Sequence, residues 1–203
     1  KKNTLETIKL KHNLHKEEIK RAERKVAKPL LYIGIVSMVM LFAGLTSAYV
    51  VRAGNGNWLV FKLPDIAILS TAVIVTSSLT MLLAQFAIKK DNYVLTNLGL
   101  FLTLALGITF FFTQIEAWRQ LTSQGVHFLG KYSNASGSFL YLIALVHLAH
   151  MSGGLIALIV SLTKSLLKKY SSSDFLGMEL TAIYWHFLDL LWVYLFLFLY
   201  FYR

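Results

Sequence analysis

The sequence predicts an all-α polytopic membrane protein, a bundle of five transmembrane helices with its N-terminus in the cytoplasm. Hydrophobic residues make up 56% of the 203 residues. They fall into five apolar runs of more than twenty residues, four of which contain no Asp, Glu, Lys or Arg. A helix needs about 20 apolar residues to cross a hydrocarbon core about 30 Å thick. The strands and half-buried helices of a soluble protein would instead alternate apolar and polar residues.

The five runs follow a basic segment at the N-terminus. Residues 1–28 hold ten Lys and Arg residues and form a predicted basic tail, either a short amphipathic helix on anionic headgroups or a disordered segment. Residues 29–203 form the predicted membrane domain. Pro29 opens the first run, because proline suits the first turn of a helix. Short polar segments separate the runs, which predicts an up-down bundle. The predicted spans are 29–51, 66–88, 92–115, 137–163 and 178–202.

The basic residues are distributed unevenly between the two sides of the predicted membrane. Fifteen of the 20 Lys and Arg residues lie in the tail and in the loops after the second and fourth runs. This bias places the N-terminus in the cytoplasm, or in the matrix of a mitochondrion. The net charge of +10 is then a topology signal, and no nucleic-acid partner is predicted. The chain has no Cys, which excludes disulfides, Cys-ligated zinc and iron–sulfur clusters within it.

Ionisable residues lie inside the last two runs, where an isolated charge is costly. His147 and His150 are three residues apart and therefore on one helix face, and the fifth run carries Glu179, His186 and Asp189. At a rise of about 1.5 Å per residue, Asp189 and His150 lie at similar depth and are expected to meet near the midplane if their helices are neighbours. Three interpretations are open: a metal or haem site, a proton relay, or a hydrogen-bonded structural network.

Small and hydroxyl residues predict where the helices approach one another. The fourth run has small residues at four-residue spacing, which lets another helix come close. They are Ala149, Gly153, Ala157 and Ser161. The second run carries hydroxyl and amide side chains that are expected to bond between helices or back to their own backbone. They are Ser70, Thr71, Thr76, Ser77, Ser78, Thr80 and Gln85.

The fifth run resembles the most specific motif of the cytochrome c oxidase subunit III family. The matching residues are Glu179, Tyr184, Trp185, His186, Phe187, Asp189 and Trp192. In the fourth run, His147 and His150 followed by Gly154 are similar to the paired histidines and glycine of that family. The end of the third run, with Gln114, Glu116 and Trp118, is similar to another family segment at slightly different spacing. The first run resembles the third helix of the family, so the resemblance covers roughly residues 30–203.

The chain departs from the family pattern in two ways. Many members have seven helices, of which the first two splay apart to form a lipid-filled cleft. This sequence lacks those two helices and resembles the five-helix bacterial form. The buried glutamate that the family carries on the helix matching the first run is Met38 here, by alignment to Ser37. The cleft and a role for that carboxylate therefore do not carry over.

The resemblance implies an accessory role in a terminal haem–copper oxidase of aerobic electron transport. Subunit III holds no redox centre; it packs on catalytic subunit I, which bears the haems and a copper, and supports proton uptake there. On this basis the set His147, His150, Glu179, His186 and Asp189 is structural, and no residue is catalytic or binds a cofactor or metal. A structural phospholipid is the one bound group expected. The implied partners are the other oxidase subunits, membrane lipids and a respiratory supercomplex, in the bacterial cell inner (cytoplasmic) membrane.

Three alternatives remain at this point. One is a subunit III-like partner of nitric oxide reductase. Another is a membrane enzyme that binds metal or haem through His147, His150 and His186. The third is a transporter, which is weakly supported because no proline interrupts a helix mid-span.

Overall fold

The computed structural model describes residues 2–54, 56, 58, 63–128, 134–172 and 174–202. These residues form five α-helices and no strand longer than an isolated bridge. All five helices are long and apolar enough to cross a membrane, which confirms the predicted fold class. The helices are α1 Lys2–Ala53, α2 Ile66–Ile88, α3 Tyr93–Ser123, α4 Ala135–Leu166 and α5 Leu176–Phe201.

The start of the first helix was predicted wrongly. Pro29 lies inside α1, which begins at Lys2. The residues before Pro29 are rich in Lys, Glu, Leu and Ala, which favour helix, and a proline removes only one backbone donor. The chain divides into two compact units, residues 1–38 and 39–203. In the first unit, the side chains of residues 21–26 are exposed, and those of residues 1–16 lie outside the described part.

The third helix is longer than its apolar run. It continues to Ser123, so Glu116, Trp118 and Arg119 are helical rather than at its end. Charge ends a hydrophobic stretch but does not end a helix, and here the helix carries on past the apolar segment. Arg119 donates to Glu116 at 3.2 Å, an i to i+3 ion pair on an exposed face. Between the first two runs, residues 55, 57 and 59–62 lie outside the described part of the chain.

Helices α2 to α5 form the second unit together with the C-terminal part of α1. Successive helices pack in the ring α2–α3–α4–α5, which closes through α5 against α2. The residues of α1 after Val39 reach this ring through large side chains. Tyr49 is fully buried against Phe198 of α5, Phe139 of α4 and Trp58. The centre of the ring is filled mainly by apolar side chains.

The two loops at one end of the ring are tied to each other. Asp91 Oδ1 accepts from the backbone N–H of Ser172 at 2.8 Å, and the Tyr93 hydroxyl donates to Tyr170 O at 3.2 Å. Tyr170 is 7% exposed, and this burial raises the pKa of its hydroxyl. The described parts of the two loops therefore contact each other at this end of the ring.

Candidate functional site

Hydroxyl groups of α2 receive hydrogen bonds from α5 along one seam of the bundle. Trp185 Nε1 donates to Ser77 Oγ at 3.0 Å, and Trp192 Nε1 donates to Thr71 Oγ1 at 3.2 Å. The next residue, Ser78, bonds His186 Nδ1. Moving up α5 by seven residues moves the contact down α2 by six, so the two helices run antiparallel. We call these six residues (Thr71, Ser77, Ser78, Trp185, His186 and Trp192) the polar seam.

Both roles expected for the hydroxyls of α2, bonding between helices and bonding back to the backbone of their own helix, are found. Besides the polar seam, Ser70 accepts from Gln114 at 3.0 Å, and Thr80 bonds Thr103 on α3 at 2.8 Å. Thr76 bonds only its own backbone, at Ala72 O, and its side chain is exposed. Interhelical bonds matter in a membrane because lipid offers no competing water. The hydroxyl-rich face of α2 is therefore the side that meets its neighbours.

Asp189 is sealed within the bundle beside the polar seam. Its side chain is 4% exposed, and neither carboxyl oxygen has a hydrogen bond of good geometry among the described residues. The Ser78 hydroxyl, which is bonded to His186, also lies beside the Asp189 carboxyl. His186 Nε2 is likewise buried and unbonded. Ser78 is thus the group shared by the imidazole and the carboxyl.

The expected meeting of Asp189 with His150 is wrong. His150 is half-buried, and its Nδ1 bonds the backbone oxygen of Val146 on its own helix at 2.8 Å. Asp189 instead lies by Ser78, because its position on α5 faces α2 while His150 is on α4. The backbone oxygen of His150 does contact α5, through the Tyr184 hydroxyl at 3.0 Å. The contact between Asp189 and His150 was predicted from their similar depth alone. It does not form because the two side chains face different directions.

His147 occupies an aromatic pocket where four helices meet. Its ring centroid lies 5.1 Å from Trp192, 6.2 Å from Phe110 and 6.3 Å from Phe42. The side chain is fully buried, and neither ring nitrogen has a hydrogen bond within the described part of the chain. Glu179 lies half-buried in the first turn of α5. His147 and His150 both lie against Phe42, whereas His186 and Asp189 both lie by Ser78, so these four residues form two separate pairs.

The close approach of α4 to α5 occurs one residue away from the predicted ridge. Gly153 and Ala149 are exposed, and of the ridge only Ser161 is fully buried, bonded to Thr181 at 2.8 Å. A methyl group on Gly154 would instead lie 3.0 Å from Leu188 Cδ1 and 3.3 Å from the Trp185 ring. The predicted ridge therefore contributes Ser161 to the contact with α5, while the closest approach of the two helices lies at Gly154 beside it.

Gly107 on α3 is a contact that sequence reasoning missed. A methyl group there would lie 2.6 Å from Trp185 Cη2 and 3.0 Å from Leu155 Cδ2. Gly107 is the single glycine between residues 100 and 124, and its isolation within an apolar run was the available sign of a close helix contact. Trp185 is fully buried, so its indole lies between Gly107 on α3, Gly154 on α4 and Ser77 on α2.

The remaining motif residues fill structural positions. Gln114 is 3% exposed and bonded to Ser70, and Trp118 packs edge-on against Tyr141 at 5.9 Å. Phe187 is half-buried and contributes to a groove between α1 and α5.

Chemically, the site offers neutral hydrogen bonding and tight packing. Within the described ranges, no group of three or more His, Cys, Asp or Glu side chains is placed to hold a metal ion. A membrane metal or haem enzyme based on His147, His150 and His186 is not favoured by this placement, since His147 and His186 contact different helices. The arrangement can hold five helices in register.

Comparisons with known proteins give a consistent result. A family model described as cytochrome c oxidase subunit III matches residues 22–203. A probable cytochrome c oxidase subunit 3 of Nocardia farcinica is 35% identical over 179 residues, covering 84% of this chain and 85% of the relative. Its namesake in Mycobacterium tuberculosis is 32% identical over the same shares. Cytochrome c oxidase subunit 3 of Drosophila melanogaster is 30% identical, covering 67% of this chain but 50% of the longer insect protein.

Proposed function

Because this chain belongs to the cytochrome c oxidase subunit III family, we propose that it is the accessory, non-redox subunit of a terminal haem–copper oxidase. The observation that carries the proposal is the position of the family motif. Trp185, Asp189 and Trp192 lie at the buried centre of the bundle, where they contact α2 and the aromatic pocket of His147. The motif therefore maintains the scaffold.

The partner proposed for this scaffold is catalytic subunit I, with the other oxidase subunits and a larger respiratory assembly beyond it. The haems and copper belong to those partners. The role of this chain is to stabilise subunit I and to support its proton uptake, with a structural phospholipid as the one group that it holds. Large apolar side chains are exposed along every helix, which leaves ample surface for both lipid and a neighbouring subunit. The five ionisable residues remain a predicted structural set.

Purification through a tag on this chain tests the proposal. After mild solubilisation, we expect a large membrane subunit to co-purify, together with the visible spectrum of haem. Mass spectrometry of the co-purified subunit identifies it as an oxidase or as a nitric oxide reductase component. Isolation of this chain without any haem-bearing subunit would contradict the accessory role.

We also propose that the protein lies in a bacterial cytoplasmic membrane with its N-terminus inside. The support is the bias of Lys and Arg and the bacterial relatives, which share most of their length with this chain. The absence of native Cys allows a clean test by single-cysteine labelling. Lys169→Cys should react with an impermeant maleimide only from the cytoplasmic side, and Arg119→Cys only from the opposite side. Labelling of both from one side would refute the proposed topology.

A further inference from the structure

A group of exposed lysines surrounds the end of the bundle where two loops are tied together. The loop between α2 and α3 contributes Lys89 and Lys90, and the region after α4 contributes Lys164, Lys168 and Lys169. All five side chains are exposed. We call these five residues the lysine rim.

The lysine rim has a fixed framework beneath it. The bond from Ser172 N to Asp91 Oδ1 links the two loops at 2.8 Å. One turn inside, Ser165 Oγ donates to Asn97 Oδ1 at 2.6 Å, joining α4 to α3. Both lysine pairs lie within four residues of the Asp91–Ser172 link. The cationic groups are therefore presented together on one surface.

Backbone strain accompanies the rim in both loops. Asp91 has φ of 51° and Lys168 has φ of 52°, which is left-handed backbone that favours glycine. Asp91 has a local reason for this geometry, since its carboxyl makes the link to Ser172. At Lys168 the geometry belongs to the end of α4, where Lys168 N–H donates to Ser165 O and Lys169 N–H donates to Lys164 O, both at 2.9 Å. This bonded turn fixes the backbone that carries Lys168 and Lys169.

The position of the rim indicates what it meets. Lys164 lies in the last turn of a helix that is long enough to cross a membrane, and Lys89 directly follows another. Lys89 Nζ lies 5.9 Å from the ring centre of Phe86, a side chain that is 60% exposed. A lysine at the end of a membrane-spanning helix typically reaches the headgroup layer of the bilayer, while an apolar ring beside it stays in the hydrocarbon. Lysines at that depth attract anionic lipids.

We propose that the lysine rim is a binding surface for the phosphate groups of anionic phospholipids, which brace the tied loops at this end of the bundle. Phospholipid phosphate carries negative charge, and lysine recognises it as a point charge without strict geometry. The tied loops hold several such charges in place, so binding costs little ordering of the protein.

Reconstitution of the purified full chain tests the proposal. The chain is placed in nanodiscs of phosphatidylcholine alone or with phosphatidylglycerol, and the midpoint of thermal unfolding is measured. We expect phosphatidylglycerol to raise the wild-type midpoint. The pair Lys168→Gln and Lys169→Gln removes two of the five rim charges. This pair should lose about two-fifths of that rise, if each lysine contributes comparably. Arg119→Gln, at the other end of α3, should keep the rise in full.

Lys168→Gly separates lipid binding from backbone strain. Glycine relieves the left-handed geometry, so this variant should be more stable than the wild type in phosphatidylcholine alone. Its gain from phosphatidylglycerol should nevertheless be smaller. A full gain in Lys168→Gly, or in the glutamine pair, would overturn the proposal. So would the absence of any wild-type gain, an equal gain from inorganic phosphate, or a gain from polyglutamate but not from phosphatidylglycerol.

Discussion

Trp185 has two kinds of neighbour, and the difference between them explains how the bundle is held. On the α2 side its indole N–H donates to Ser77, in a seam of hydroxyls, indoles and an imidazole. Towards α3 and α4 its ring lies against Gly107 and Gly154, with no hydrogen bond involved. The contact with Ser77 depends on a hydrogen bond and tolerates small shifts of the helices. The contact with the glycines depends on close packing and leaves no room for an added methyl group.

The comparison teaches that register and closeness are set by different helices. In lipid the hydrophobic effect does not drive helices together, so packing and interhelical hydrogen bonds must do so. The polar seam sets which residue of α5 stands beside which residue of α2. The glycines set how closely α3 and α4 approach the same tryptophan. Variants on the two sides should therefore differ in the size of their effect.

The largest effect is expected from Gly107→Ala. The new methyl group would lie 2.6 Å from Trp185 Cη2, a distance that forces the ring or the helices apart. Overpacking of this kind costs about 1–3 kcal/mol of unfolding free energy. Gly44→Ala is the matched control, because nothing lies within 4 Å of its added methyl group. Unfolding in mixed detergent micelles measures both, and equal stability of the two variants would break the comparison.

A smaller loss is expected from Ser77→Ala on the polar seam. It leaves the indole N–H of the buried Trp185 without an acceptor. The expected cost is about 1 kcal/mol, since such bonds in membranes contribute about 0.6–2 kcal/mol. Thr76→Ala serves as control because that hydroxyl is exposed and bonds only its own backbone. The same unfolding assay measures both variants. If Thr76→Ala were as destabilised as Ser77→Ala, the interhelical bonds of the polar seam would add no stability beyond that of an exposed hydroxyl.

The smallest effect is expected from Thr71→Val at the far end of the seam. Its bond from Trp192 is longer, at 3.2 Å, and the site is only partly buried. Valine keeps the volume, so the loss should be about 0.5 kcal/mol, below that of Ser77→Ala. Combining both variants should give nearly additive losses, because the two bonds lie six residues apart on α2. Strong non-additivity would mean that the seam acts as one unit.

The sequence predicted the five helices because hydrophobic length is a local property. The bounds of α2 agree with the predicted span, and the hydroxyls of α2 were expected to bond either between helices or to their own backbone. The start of α1 and the end of α3 were missed, because helices continue beyond the apolar segment that signals them. The hydropathy pattern therefore gives the length of the segment inside the membrane, and the helix itself can be longer.

The candidate site was less predictable than the fold. Helical spacing placed His150 and Asp189 at similar depth, but the direction each faces depends on how α4 and α5 are rotated. That rotation is set by contacts such as Gly154 against Leu188, which involve residues far apart in sequence. One sequence contains no information on which face of α4 turns towards α5. The sequence therefore identified the buried ionisable residues, but only the structure identified the residues that they contact.

The most direct test of the accessory role is the distribution of haem and metal after this chain is removed from its purified complex. Mild detergent or chaotrope dissociates the chain, and both fractions are measured by visible spectroscopy and metal analysis. The account predicts that haem and copper stay with the large subunit, with an unchanged spectrum, and that the separated chain carries none. Stoichiometric iron, copper or zinc in the separated chain, or a changed spectrum caused by His186→Ala, would contradict it.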